Sequence, residues 1–215
     1  DISKEDGIDS PATRRDALLK ILELSRLEIN DLVKKLQGLE DLEEVYTDLQ
    51  TALLRALDNY AIYLNDLEKQ LKDADLTETE VKALAVDFKE WREGQYGAII
   101  KKSVNFIWVL RETDLLKMAG GRLNKVAADL KKIKPSRIAK PANLIASLEK
   151  AKKLFNEAQR LNEVAQELLL ASDDQIINEN SPSLEETIEW TLEKIKAVYQ
   201  EFFRMNSLLK EILGL

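Results

Sequence analysis

The sequence predicts an all-α fold, an elongated up-and-down bundle of five or six long amphipathic helices. Apolar residues recur every three to four positions over long stretches, which is the period of a helix face and not of a strand. Only 7 Gly and 4 Pro occur among 215 residues, so the chain has few turns and its elements must be long. Helix-start signals precede several of these stretches.

The first two predicted helices form a hairpin. The first begins at Ser10-Pro11, an N-cap followed by proline at the first helical position, and ends near Gln37, just before Gly38. The second covers about 41–72, with apolar residues in a spacing close to a heptad repeat. Because the linker is short, the two helices are expected to pack antiparallel.

A third, shorter helix is predicted by a capping box. Thr77 and Glu80 have the spacing in which each side chain bonds the other residue's backbone N–H. Gly94 and Gly97 follow the apolar stretch of this helix. We expect these glycines to bend or break the chain.

The fourth predicted helix covers about 98–133. Its first half is apolar on more than one face, which predicts a position at the centre of the bundle. Gly120-Gly121 inside it predicts either a kink or the close approach of a neighbour. Two prolines in 134–141 predict a loop after it.

Two more helices complete the expected bundle. The fifth covers about 142–171, and the last begins after a second capping box, Ser183 with Glu186. We interpret 1–9 as a flexible leader and 10–215 as a single helical domain. A hairpin of 10–72 packed on a body of 77–215 is the alternative division.

Two absent residue types exclude most catalytic classes. The chain has no His and no Cys, so it lacks Ser-His-Asp and Cys-His catalysis, zinc fingers, iron–sulfur clusters and disulfides. Carboxylate-rich bundles that hold two metals use Glu-x-x-His pairs, which a chain without His cannot supply. We therefore expect no cofactor, no metal and no catalytic residues.

One segment has a charge opposite to that of the whole chain. From Lys117 to Lys153 there are 11 basic and 2 acidic residues, a net +9, although the chain carries −7 in total. The segment includes the end of one helix and the start of the next, so it predicts a basic tip at one end of the bundle. The candidate binding residues are Lys131, Lys132, Lys134, Arg137 and Lys140. Lysines that complement a helix C-terminus, or self-association with an acidic side, are the alternatives.

Three aromatic residues are the other binding candidates. Tyr60 and Tyr63 are three positions apart and share a helix face, a pattern found at interfaces, although core packing of Tyr60 is the preferred interpretation. Trp190 lies off the inward stripe of the last helix. We therefore expect Trp190 to be exposed.

These observations favour a non-enzymatic structural or interaction protein that presents helix faces and a basic tip to an unknown protein or an anionic polymer. Because the chain starts at Asp1 and not at Met, we expect export to the cell envelope or the outside, with a cytoplasmic location left open. The alternatives are an intracellular module that binds nucleic acid or an acidic protein, and a carrier of an apolar ligand. The net negative charge argues against nucleic acid. Homo-oligomerisation stays open, and the longest apolar run, Phe106–Leu110, is too short for a transmembrane segment.

Overall fold

The computed structural model describes residues 11–72, 76–132, 141–171 and 182–213. Within these ranges every regular element is a helix and there is no strand, so the predicted all-α fold is confirmed. The elements are α1 Pro11–Gln37, α2 Glu44–Leu71, α3 Glu78–Trp91, a π-helical segment Arg92–Tyr96, α4 Gly97–Lys132, α5 Pro141–Leu170 and α6 Leu184–Leu213. The predicted leader 1–9 lies outside the described residues.

The chain divides into two compact units. Unit 1 is Asp1–Ile107 and unit 2 is Trp108–Leu215, so the boundary falls within α4. The alternative division considered from the sequence lay between 72 and 77, at the end of the first hairpin. Whether 10–215 acts as a single domain stays a prediction.

In unit 1, α1 and α2 form the predicted antiparallel hairpin. Near the connection, Gln50 Nε2 of α2 donates hydrogen bonds to the backbone oxygens of Leu36 (2.6 Å) and Leu39 (3.3 Å). Farther along, Arg26 of α1 pairs with Glu68 of α2. These contacts bring the later part of α2 back to the earlier part of α1, as a short antiparallel connection requires.

The second helix begins later than expected, at Glu44 and not near Asp41. Asp41 has φ 54°, in the left-handed region, and therefore cannot take part in a right-handed helix. Asp tolerates this conformation better than most residues, which allows it to form the turn. Both predicted capping boxes, Thr77–Glu80 and Ser183–Glu186, are confirmed by reciprocal hydrogen bonds.

The expected break at Gly94 and Gly97 does not occur, whereas a bend there stays a prediction. The helix continues from α3 into α4 through the π-helical segment Arg92–Tyr96. Because a π turn bonds residues five apart, Trp91 and Tyr96 lie on the same side, with ring centroids 4.9 Å apart. This packing contributes to offsetting the helix cost of about 1 kcal/mol for each glycine.

In unit 2, α5 and α6 pack antiparallel. Two ion pairs show the direction, since Lys150 of α5 binds Glu201 at 2.7 Å and Lys194 of α6 binds Glu157 at 2.6 Å. Gly120 of α4 packs against α5, where a Cβ atom would lie 3.0 Å from the ring of Phe155. Close packing is therefore the reason for this glycine.

Burial in the apolar run of α4 is nearly continuous. Phe106, Ile107, Val109 and Leu110 are all buried. Trp108, in the middle of this run, is 40% exposed, so the apolar composition overstates how fully this helix is enclosed.

Candidate functional site

The basic segment comes together at one end of unit 2. The C-terminal half of α4 packs against the start of α5 and the end of α6 in one apolar cluster that includes Leu123, Leu148 and Met205. Basic residues of α4 and of early α5 therefore lie around the same cluster. We call this region, formed by the described parts of 117–153, the basic end.

The five predicted basic residues are only partly described. Lys131 is exposed near the end of α4. Lys132 is the last residue of α4, but its side chain lies outside the described part. Lys134, Arg137 and Lys140 also lie outside the described residues. Their role in binding stays a prediction.

Several cations of the basic end have partners within the protein. Lys150 binds Glu201, whose side chain is almost completely buried, at 2.7 Å. Arg122 lies 5.1 Å from the centre of the Tyr199 ring. Lys150 and Arg122 therefore help to join α5 and α4 to α6, although both are exposed. Lys117, Lys125 and Lys153 of this end are exposed as well.

A polar groove of about 710 Å³ on unit 2 continues this positive surface. Lys153 and Arg160 of α5 and Lys194 of α6 line it, together with Glu157. The hydrogen bond from the Lys194 ammonium lowers the pKa of Glu157, and Lys153 and Arg160 lower it further. Glu149 and Lys152 also line the groove and pair with each other, so four cations outnumber two carboxylates and leave positive charge for an external anion.

Tyr60 and Tyr63 of α2 belong to an aromatic cluster inside unit 1. Both rings contact Trp91, with centroid distances of 5.1 Å and 4.5 Å. The Tyr60 hydroxyl donates to the backbone oxygen of Gln95 at 3.0 Å, and burial raises the pKa of both tyrosines. This geometry favours packing for Tyr60, and a role in an interface stays a prediction.

Trp190 is exposed, as expected. Its exposed fraction is 42%, compared with 72% for Phe203 on the same helix. Phe203 is more exposed because it lies next to Phe202, which is half-buried, and two adjacent rings cannot both face inward on one helix.

A buried polar group in unit 2 was not predicted. Glu112 of α4 is completely buried, and Asn162 of α5 is 4% exposed. Asn162 Nδ2 donates to Glu112 Oε2 at 3.4 Å and to the backbone oxygen of Val109 at 3.2 Å. Among the described residues, Glu112 Oε1 has no hydrogen-bond partner.

Two neighbours extend this polar group toward the surface. Thr113 Oγ1 donates to Asn162 Oδ1 at 2.9 Å, and Gln166 Nε2 donates to the same oxygen at 3.0 Å. Burial raises the pKa of Glu112 to about 8, although the bond from Asn162 lowers it somewhat. Glu112 is therefore mostly protonated at neutral pH, because burying an unpaired carboxylate costs more than binding a proton.

The sequence did contain a signal for this group. Glu112 has the same helical spacing as the buried residues Val109, Leu116 and Ala119, and so occupies an inward position of α4. A charged residue at such a position indicates either a buried acid or a site.

The described residues give no sign of metal chemistry or of a membrane span. Across the described ranges, no group of three or more acidic side chains could hold a metal ion. No helix that the structure describes is both long and apolar enough to cross a membrane.

Comparisons with known proteins add no functional information. No family model matches the chain, and neither curated proteins nor solved structures give a significant match.

Proposed function

We propose that this protein is a non-enzymatic interaction protein that binds an anionic polymer through the basic end of unit 2. The observation that supports the proposal is the packing of late α4 against early α5, which gathers cations separated in sequence by the 133–140 connection. The segment Lys117–Lys153 has a net charge of +9 in a chain of net −7, and such a concentration of positive charge attracts an anionic partner.

The binding mechanism is electrostatic and requires no catalysis. Exposed Lys117, Lys125, Lys131 and Lys153 are free to approach the anions of a polymer, and each contact releases counterions. Binding should therefore weaken steeply with salt. The groove near Lys194 would extend the same surface along α5 and α6.

A charge-reversal variant tests this function, with heparin as the probe. We expect Lys131→Glu, Lys132→Glu, Lys134→Glu and Arg137→Glu together to weaken binding at least about tenfold, about 1.4 kcal/mol or more. The measurement is the dissociation constant at several salt concentrations, by isothermal titration calorimetry.

The matched control reverses four exposed cations elsewhere, Lys20, Lys34, Arg55 and Lys196, and so changes the net charge by the same amount. If the control variant loses as much affinity as the test variant, or if the test variant binds normally, the proposal is wrong. A gel shift with double-stranded DNA shows whether nucleic acid is the polymer. Location in the cell envelope or outside the cell stays part of the proposal, and fractionation of the source cells tests it.

A further inference from the structure

Unit 1 carries a second candidate site, a groove of about 650 Å³ between α1 and α3. The two helices run in the same direction, since Arg14 of α1 lies at Glu78 of α3, while Glu28 lies at Tyr96, just beyond α3. The floor of the groove is entirely apolar, and α1 and α3 each contribute three residues: Ala17, Leu18, Ile21, Val81, Ala85 and Phe88.

Small side chains open this groove to solvent. Ala17 is exposed and Ala85 is half-buried, so neither fills the space between the helices. Large apolar groups therefore remain accessible nearby: Ile21 is 36% exposed, and Leu24, one turn farther along α1, is 64% exposed. Accessible apolar area of this kind on a soluble helical unit marks a binding surface.

The rim of the groove is positively charged. Four cations line it, Arg14, Lys82, Lys89 and Arg92, and the only acidic residue among the lining residues is Glu93. A floor without polar groups and a rim with excess positive charge together match a ligand that is apolar along its length and anionic at its end.

The two ends of the rim differ in how strongly their cations are held. At one end, Arg14 and Lys82 both bind Glu78, at 3.1 Å and 2.7 Å. At the other end, Lys89 lies 3.8 Å from Glu93, an exposed and weak pair. Arg92 is exposed and, among the described residues, forms no ion pair. Lys89 and Arg92 can therefore bind a ligand without breaking a strong ion pair.

We propose that the α1/α3 groove binds a single-chain amphiphile with an anionic headgroup. The hydrocarbon chain lies along the apolar floor, and the headgroup binds Lys89 and Arg92. The volume is within the range of about 300–1,000 Å³ that is typical of small-molecule sites, whose linings are mostly apolar with a few polar groups that fix orientation. This proposal is independent of the polymer site on unit 2.

The protein contains a natural reporter for this site. Phe88 of the groove floor packs against Trp91, with ring centroids 5.7 Å apart and an interplanar angle of 29°. The chain has three tryptophans, so replacing Trp108 and Trp190 by Phe leaves Trp91 as the only one. Both replaced residues are partly exposed, which makes the exchange mild.

The test is a fluorescence titration of this single-tryptophan chain with dodecanoate, below its critical micelle concentration. We expect a saturable change in Trp91 emission with one ligand per chain. Lys89→Glu with Arg92→Glu should weaken binding at least about tenfold, and dodecyltrimethylammonium, with the same chain and a cationic head, should bind at least about tenfold more weakly than dodecanoate. Ala85→Phe, which fills the groove, should abolish the signal.

The matched control for groove filling is Ala52→Phe, at an exposed position of α2 outside the groove, and it should bind normally. Equal affinity for the two amphiphiles, or normal binding by the Lys89/Arg92 variant, would overturn the proposal. So would a dimer in sedimentation equilibrium that Ala85→Phe dissociates, because the groove would then be occupied by a second copy. If Ala85→Phe fails to fold by circular dichroism, the exposed Lys89/Arg92 variant decides alone.

Discussion

Two buried polar groups, Tyr96 in unit 1 and Glu112 in unit 2, have different hydrogen-bond environments. In unit 1, Tyr96 is 2% exposed, but its hydroxyl donates to a Glu28 carboxylate oxygen at 2.5 Å and lies 3.3 Å from the Ser25 backbone oxygen. In unit 2, Glu112 is completely buried and accepts one long hydrogen bond from Asn162. The phenol is satisfied at the edge of the packed layer, whereas the carboxyl group is not.

This difference shows that a buried acid with too few hydrogen bonds can avoid an uncompensated charge by binding a proton. Burial, together with the Glu28 carboxylate, raises the pKa of the Tyr96 hydroxyl, so the group stays neutral at every physiological pH. Glu112 also becomes neutral, but its pKa of about 8 lies close to neutral pH. Near neutral pH, the protonation state of Glu112 in unit 2 should therefore change with pH, whereas that of Tyr96 in unit 1 should not.

Removing Trp91, the centre of the aromatic cluster of unit 1, should have the largest effect on stability. Trp91 contacts four rings, those of Tyr60, Tyr63, Phe88 and Tyr96. Trp91→Ala should lower the free energy of unfolding by about 3–4 kcal/mol, because it leaves a cavity among these rings. Urea unfolding followed by circular dichroism measures the loss.

Trp190→Ala is the comparison for this substitution. Trp190 is 42% exposed and should lose only about 1 kcal/mol, since water already covers much of its ring. If both substitutions lowered the free energy of unfolding equally, the contacts of Trp91 in the aromatic cluster would add no extra stability.

Neutralising the buried acid of unit 2 should stabilise the protein. The pKa of Glu112 is about 8 in the folded chain, against 4.5 for an ordinary glutamate, so the folded state binds more protons between these two values. Stability is then highest below about pH 4.5 and falls as pH rises toward 8, by about 1.4 kcal/mol per pH unit. Glu112→Gln should remove this fall and add up to about 3 kcal/mol at pH 7.

The measurement is urea unfolding of both proteins at pH 4.5 and at pH 7. The difference between them should be small at the acidic pH and large at the neutral one. Glu163→Gln, on an exposed position of α5, provides a control with the same chemical change. A Glu112→Gln variant that is destabilised at both pH values would mean that the carboxyl group is needed for packing and not merely tolerated.

The sequence predicted the helices better than their junctions. The spacing of apolar residues and the capping signals located the six described helices, because both are local features of the sequence. Only α2 begins about three residues later than predicted, at Glu44. The continuous path through Gly94 and Gly97 could not be predicted, because it depends on contacts of Tyr96 with α1 and α2, far away in sequence. Tertiary packing outweighed local propensity there.

The sites were predicted less completely, for a related reason. Lys131 and its neighbours stand out by composition alone, which is a local property. The α1/α3 groove is lined by small residues of two helices, Ala17 and Ala85, and no pattern within one helix indicates that both line the same groove. Glu112 was detectable from its inward position, but its missing partner depends on which α5 residues face it.

The smallest expected effect comes from removing the Tyr96 hydroxyl, the buried polar group that has its hydrogen bonds. Tyr96→Phe removes the hydroxyl but keeps the ring, so contacts with Trp91 should persist. Glu28 is exposed, so water can replace the lost hydrogen bond, and the free energy of unfolding should fall by only about 1 kcal/mol. Urea unfolding measures this value, and Tyr63→Phe, on a half-buried ring of the same cluster, is the control. If the free energy of unfolding fell by more than about 3 kcal/mol, water would not be replacing the hydrogen bond that Glu28 accepts from Tyr96. The contrast with Glu112 would then fail.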